Sequence, residues 1–568
     1  MKSINHNLLK FAKVFGVAGA LLVSANTAQA TYNVGMPLPT KPKQPEITGK
    51  MAGCLPATQQ RDLNVNNVRT TILNGGDMWW NLSNARYEIP KVQTGQVSKN
   101  SLFSGALWIG GVANGNLKLA AQTYRQNGND FYPGALQKDG ATISADRCKA
   151  YDRIYRVELT EIQALVESPD KSIAFESLSD DMKQWPGNGQ EGEEARLAPF
   201  NDINANGLYE PLLGEHPTLN ADNADITNIP DMMMFMVYND KGNIHSETDA
   251  VPIGLEFHMQ AFAYSTNDEI NNMTFYRNTI INRSSETIDS TVFGQWVDAD
   301  LGNYSDDYVE CDVPRNLGIC YNGDDNDEGI LGYGLNPPSV GVTFFEGPRR
   351  ADSSEIGLTK FVYYNNDFSV TGNPSRPEHY WGYLNGRWKD GASITYGGNG
   401  RNGADTASYM FPGNTDPAGR TTWNERIAGN QPQDRRFLQT AGSFTLLPGA
   451  VNRVTIGVVW ARASSGGATG SFNLLKEASD KATTLYKNNF TLKEGPRAPK
   501  LEIVELNKKL VIKMSGTKTS ENYSRSYAGP CGAKTNYKFQ GYQVWQLKTA
   551  SIPSDINDPT QARLVAQL

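Results

Sequence analysis

Between Val251 and Asp300 three segments of strand length follow one another with only short polar breaks: Leu255 to Ala263, then MTFYRNTIINRS, then STVFGQWVDAD. In the first, Leu255, Phe257, Met259, Ala261 and Ala263 alternate with Glu256, His258 and Gln260. A period of two suits a half-buried strand and no helix. The spacing predicts hairpins, with Ser284-Ser285-Glu286 as the turn between the second and third strands and Pro448-Gly449 as the turn of another in GSFTLLPGAVNRVTIGVVWARA. Charged residues make up only 20% of the 568, tyrosine, tryptophan and glycine are abundant, and one segment alone reads as an amphipathic helix. This is Phe472 to Phe490, with Leu475, Ala478, Ala482 and Leu485 on one face. The expected class is mainly β: multidomain β-sandwiches with long loops and one amphipathic helix near 472–490.

The third strand runs directly into Val297 to Gly329, VDADLGNYSDDYVECDVPRNLGICYNGDDNDEG, where ten carboxylates face the single base Arg315. Carboxylates so crowded raise one another's pKa unless a cation offsets them. The expectation is a loop system loaded with Ca2+ and held at a strand end, drawing its ligands from Asp298, Asp300, Asp306, Asp307, Asp312, Asp324, Asp325, Asp327 and Glu328. A Cys311–Cys320 disulfide would clasp it. A second cation loop is expected in FNDINANGLYEP, where Asp202, Asn204 and Asn206 precede Gly207 in the D-x-[DN]-x-[DN]-G order. Leu208 and Glu210 occupy its next alternate positions. Leu213 stands where an EF-hand needs its bidentate glutamate, so a true EF-hand is excluded and Glu215 or Asp222 is left to complete the sphere.

Residues 1–30 read as a secretory signal: Lys2, Lys10 and Lys13 precede the short apolar run Val14–Val23, and Ala28-Gln29-Ala30 offers a cleavage site. No stretch approaches the length of a membrane-spanning helix. All five cysteines lie in the exported part, where disulfides persist; Cys54–Cys148 is the natural second pair and Cys531 is left over. The net charge of −7 makes nucleic acid a poor partner. Residues 31–50 form a proline-rich linker, 51–250 an N-terminal β-rich region, 251–492 a β-sandwich with the acidic loop, and 499–568 a further β-domain. No H-E-x-x-H, G-x-S-x-G or Walker sequence occurs. A glycosidase needs only two carboxylates and is not excluded by sequence. Trp79, Trp80 and Trp108 read as core residues, whereas Tyr380, Trp381 and Tyr383 in EHYWGY offer rings to a glycan or protein partner.

The segments NNVRTTILNGGDMWW, GALWIGG, QTYRQNGNDFYPG, FNDINANGLYEP, NRSSETIDSTVFGQWVDADLGNYSDDYVECD and FTLLPGAVNRVTIGVVWA resemble the large exported surface proteins of Bacteroidota, many of them type IX secretion substrates. That resemblance implies a secreted or cell-surface location, and it makes Asp289-Ser290-Thr291 and Asp405-Thr406-Ala407 similar to a short O-glycosylation motif. The last segment, LEIVELNKKLVIKMS through FQGYQVWQL, resembles a fibronectin type III module at Gly541-Tyr542-Gln543-Val544-Trp545, with Met514 where that family places a core tryptophan. The expected function is that of a calcium-stabilised structural or adhesion protein of an extracellular assembly, with other surface proteins, glycans or further copies of itself as partners. Glycan binding or glycoside chemistry is the alternative.

Overall fold

The structure is a computed structural model describing residues 52–92, 95–220, 228–492, 500–515, 524–528, 534–548, 556 and 559–568. The signal, the linker, Asp222 and Cys531 lie outside the described residues. The chain divides into two compact units, one ending at Phe490 and one beginning at Thr491.

In the first unit the strands are β1 Gln60–Leu63, β2 Arg69–Leu73, β3 Asp77–Met78, β4 Tyr87–Glu88, β5 Ser104–Ala113, β6 Asn116–Ala121, β7 Tyr132–Pro133, β8 Tyr155–Glu158, β9 Met232–Asn239, β10 Leu255–Ala263 and β11 Thr274–Asn282. They continue as β12 Ile288–Ala299, β13 Asp307–Asp312, β14 Leu317–Asn322, β15 Asn326–Asp327, β16 Gly334–Leu335, β17 Ser339–Glu346, β18 Lys360–Asn365, β19 Arg435–Leu446 and β20 Val451–Ala461. Four short helices, α1 Ala145–Tyr151, α2 Leu159–Glu167, α3 Lys171–Glu176 and α4 Asp180–Lys183, precede α5 Pro377–Leu384, α6 Glu425–Ala428 and the long α7 Gly467–Lys487. Sheet 1 runs β1-β2-β3-β5-β12-β19-β18, with β4 on β2 and β6 on β5. Sheet 2 runs β13-β14-β17-β20-β11-β10-β9-β7, with β8 on β9. All the ladders of these two sheets are antiparallel.

The mainly β class of the sequence reading stands, but its domain boundary at 250 does not. Both sheets draw strands from either side of it, and the boundary would fall between β9 and β10, which are neighbours in sheet 2. The turns also differ from expectation. β11 and β12 are not a hairpin, since β11 lies in sheet 2 and β12 in sheet 1; β19 and β20 are likewise divided between the sheets. Both connections are corners, and one buried amide serves both. Asn282 Nδ2 donates to the carbonyl of Glu286 at 2.8 Å in one corner and to those of Leu446 and Leu447 at 3.1 and 3.2 Å in the other. Its Oδ1 accepts from the Ser284 amide and hydroxyl, at 3.0 and 2.7 Å.

Between the sheets lies an apolar core that includes Trp79, Phe293 and Phe344; Trp79 is buried there as expected, and Trp108 is buried on the opposite face of sheet 1, against Trp296 and Tyr380. Gly318 of β14 marks a close approach across this interface: a Cβ there would stand 2.5 Å from Gln439 Oε1 and 2.8 Å from the Phe437 ring. The outer faces are covered too. β10 is buried at every position, so Glu256, His258 and Gln260, expected in solvent, are enclosed. On sheet 2, α7 packs against β20 and β17, burying Leu475, Ala478, Ala482 and Leu485 as its spacing predicts.

Cys54 and Cys148 form a disulfide with Cα atoms 5.8 Å apart, tying the start of the described chain to α1. Cys311 and Cys320 are free and buried, contrary to expectation. In the β13–β14 ladder Cys311 faces Gly318 and Cys320 faces Val309. The two thiols are therefore diagonal neighbours, a relation that places Cα atoms roughly 7–8 Å apart, beyond the 4.4 to about 6.8 Å a disulfide spans. Among its described residues the second unit holds three antiparallel pairs: β21 Lys500–Leu506 with β22 Lys509–Ser515, β23 Ser524–Ala528 with β24 Lys534–Lys538, and β25 Gln543–Leu547 with β26 Ala562–Gln567.

Replacing Gly318 by valine forces side-chain atoms into the facing sheet, and overpacking of this kind destabilises by about 2 kcal/mol or more. Equilibrium unfolding in urea is expected to show the loss, while the same change at the exposed Gly329, where a Cβ meets nothing within 4 Å, but where φ is +87°, reports backbone strain alone.

Candidate metal centre

The acidic stretch is not a loop. Its middle is the β13–β14 hairpin, and its carboxylates are dispersed along that hairpin and its flanks. Asp298 ends the part of β12 that pairs with both neighbours, facing Ser104 of β5 and Arg436 of β19. Cross-strand partners share a face, so these three side chains leave sheet 1 on the same side as Trp296. That side is covered by α5: Tyr380 lies 4.9 Å from Trp108, and Tyr383 stacks on Tyr364 at 5.1 Å.

Ligand oxygens of Asp298, Asp300 and Asp434 lie within 4.8 Å of one another. Asp298 is 1% exposed. Its carboxylate accepts from Tyr124 Oη and pairs with Arg436, whose Nη2 is 3.0 Å from Oδ1. The same guanidinium pairs with Asp434, so one cation stands against three carboxylates. Burial is the largest influence on Asp298 and outweighs the attraction of Arg436; it pushes the carboxyl up to about 7. Asp300 is raised well above the usual carboxylate range, by burial first and then by Asp298 and Asp434. Asp434 also lines a cavity of about 260 Å³ with Ser305, Asn365, Asn366, Asp367 and Gln433, which brings solvent to the edge of the cluster. Three converging carboxylate oxygens with an open side are what a hard divalent cation takes, completing its shell with water or carbonyls.

Of the other expected ligands, Asp307 lies closest in kind. It is fully buried, accepts from the Leu301 amide at 3.0 Å, and is raised by burial first and then by Asp306, Asp327 and Asp300. Asp306, pushed up to about 6 by burial and Asp327, accepts from Asn303 Nδ2 at 3.1 Å. Asp327 is occupied by the amides of Asn303 and Tyr333, at 3.1 and 2.7 Å. The remaining four are employed elsewhere. Asp312 sits at the opposite end of the hairpin, paired with Arg315 at 2.9 Å and Lys476 at 3.3 Å. Asp325 accepts from the Ala468 amide in the first turn of α7 at 3.0 Å. Asp324 accepts from the Asn326 amide at 2.8 Å, and Glu328 from Asn326 Nδ2 at 2.9 Å. Of the nine expected ligands, Asp298 and Asp300 are the two that meet in the trio with Asp434. Asp434 was missed because it lies far along the chain, and only the β12–β19 register brings it here.

The Asp202 loop closes on itself. Asp202 accepts from the amides of Asn206 and Gly207 at 3.1 and 2.9 Å and pairs with Arg196. Glu210 Oε2 accepts from Asn204 Nδ2 and Asn206 Nδ2 at 3.1 and 2.6 Å. Leu208 has its side chain in solvent, with its amide on Asn206 Oδ1 at 2.7 Å. Buried Glu215 holds both ends, accepting from the amides of Ile203 at 3.0 Å and Glu210 at 2.8 Å. Asn204 and Asn206 thus turn their amide nitrogens to Glu210, while their oxygens accept from the backbone amides of Asn206 and Leu208.

The aromatic run is the helix α5, not an open loop. Tyr380 and Tyr383 are buried, with hydroxyls donating to Glu247 at 2.8 Å and to the Gly372 carbonyl at 2.6 Å; of the three expected contact rings only Trp381 is partly exposed. Ser290 and Thr406 are exposed. Among the described residues no helix is long and apolar enough to cross a membrane. No protein-family model matches the chain, and no curated protein matches it.

A carboxyl whose folded pKa exceeds its unfolded value binds more protons in the fold, so the stability it contributes is lost as pH rises through the folded value. For Asp298 that window runs from about 4 to about 7. With chelator present, the melting temperature is expected to fall between about pH 5 and pH 8, and Asp298→Asn to flatten that fall; equal slopes in the two proteins would refute the assignment.

Proposed function

We propose that the chain serves outside the cytoplasm, secreted or at a cell surface, as a calcium-stabilised structural or adhesive protein within an extracellular assembly. The observation that carries this reading is the trio of buried Asp298 with half-buried Asp300 and Asp434, beside the one guanidinium of Arg436. A divalent cation would offset the negative charge of Asp298 and Asp300, whose carboxyls burial raises first and neighbouring carboxylates second. The Asp202 loop supplies a second oxygen-rich turn of the kind that calcium fills in extracellular modules even at weak affinity. The Cys54–Cys148 bond supports an oxidising compartment, as does the signal-like pattern of residues 1–30. Partners are other surface or extracellular proteins, glycans or further copies of the chain. The burial of Tyr380 and Tyr383 removes two of the three rings that a glycan platform on α5 would use, so the structural reading is favoured.

Calcium is expected to raise the melting temperature of the chelated protein at pH 8, and Asp300→Asn to abolish most of that rise. Chelation is also expected to speed proteolysis within 298–328. Identical melts and digestion patterns with calcium and with chelator would overturn the calcium reading.

A further inference from the structure

The outer face of sheet 2 carries a polar row across five strands. Phe235 of β9, Gln260 of β10, Arg277 of β11, Thr455 of β20 and Glu346 of β17 are successive register partners. The next row on the same face places His258 beside Thr279 and Arg453. Over these rows runs the segment containing Phe200 and Leu219, and between them lies a cavity of about 240 Å³. Its wall includes Phe200, Phe235, Gln260, Arg277 and Thr279, with Arg196 among the lining cations.

Most of the charges around this cavity have partners. His258 Nε2 is 2.8 Å from Glu256, Arg453 pairs with Glu346 at 2.8 Å, and Arg196 pairs with Asp202. Arg277 differs. It is 8% exposed, and among the described residues it makes no ion pair. Its guanidinium donates to the Leu219 carbonyl at 2.9 Å and reaches Thr455 Oγ1 at 3.5 Å, both neutral acceptors. The carboxylate that attracts it, Glu346, is already paired with Arg453; a buried guanidinium that shares its counter-charge is under-compensated, and an anion that enters the same site lifts that penalty.

We propose that this cavity binds a small organic carboxylate, with the carboxylate group on the Arg277 guanidinium and the organic body between Phe200 and Phe235. One unpaired guanidinium calls for a monoanion, and its planar fork matches a carboxylate in two parallel hydrogen bonds. The cavity is smaller than the roughly 300 Å³ at which drug-sized sites begin, which limits the ligand to the size of a single sugar acid or aromatic acid. Phe200 and Phe235 give it apolar walls that a bare inorganic anion would not use. The proposal is independent of the calcium reading.

Isothermal titration of the full chain with benzoate, glucuronate and acetate, each in chelator and in calcium, tests it. Saturable binding is expected for benzoate or glucuronate with Kd about 1 mM or tighter, acetate weaker, and neutral glucose without effect. Arg277→Gln is expected to weaken binding at least about tenfold, the value of a charge-assisted hydrogen bond, and Arg277→Lys to retain part of it. No saturable binding by any carboxylate to the unmodified protein would overturn the proposal whether or not the variants fold. So would binding that a folded Arg277→Gln protein keeps, or inorganic sulfate binding more tightly than every carboxylate.

Discussion

The amide of Asn282 lies where the chain changes sheets twice. One corner leads from β11 to β12, the other from β19 to β20, and the side chain donates into both while its own backbone is bonded to Gly449 and Ala450. These four strands pair in twos: β12 and β19 lie side by side in sheet 1, β11 and β20 side by side in sheet 2. A buried polar side chain left without partners costs about 1–3 kcal/mol, and here the partners exist only when both corners are closed together. The register of each sheet is in this way referred to the other.

A sandwich whose outer faces are also covered must bury charge, and the first unit does so with arginines on strands or just past a strand end. Arg436 answers Asp298 and Asp434 on sheet 1, Arg435 answers Glu425 at 2.7 Å on its other face, and Arg283 answers Glu256 at 2.7 Å on sheet 2. Each such pair offsets desolvation only while its geometry holds. Two places depart from balance in opposite senses: an excess of carboxylate around Arg436 and an excess of guanidinium at Arg277. Both lie on outer faces under long covering segments, where a small ligand can arrive without opening the core.

Strand positions were legible because alternation of apolar residues survives whatever the topology. Connectivity was not, because a short polar break such as Ser284-Ser285-Glu286 has the same composition in a hairpin and in a corner; the difference lies in Asn282, whose partners are remote in sequence. The Cys311–Cys320 spacing suggested a clasp, but a ladder offset by two residues decides against it. Glu256, His258 and Gln260 looked solvated, and Tyr380 and Tyr383 looked available, because nothing local announces that residues 185–220 and α5 will cover those faces. Of the carboxylate trio, Asp298 and Asp300 were readable from the strand that delivers them, and Asp434 only from a pairing no local pattern encodes.

Cys311 and Cys320 gain a different meaning once the disulfide between them is set aside. Burial lifts both thiols well above their ordinary range, and each is closed off inside the β13–β14 hairpin. Neither can meet an alkylating reagent until that edge of sheet 2 comes away from its neighbours. The pair is thus a built-in clock for the acidic edge of the sandwich, ticking only when the hairpin opens.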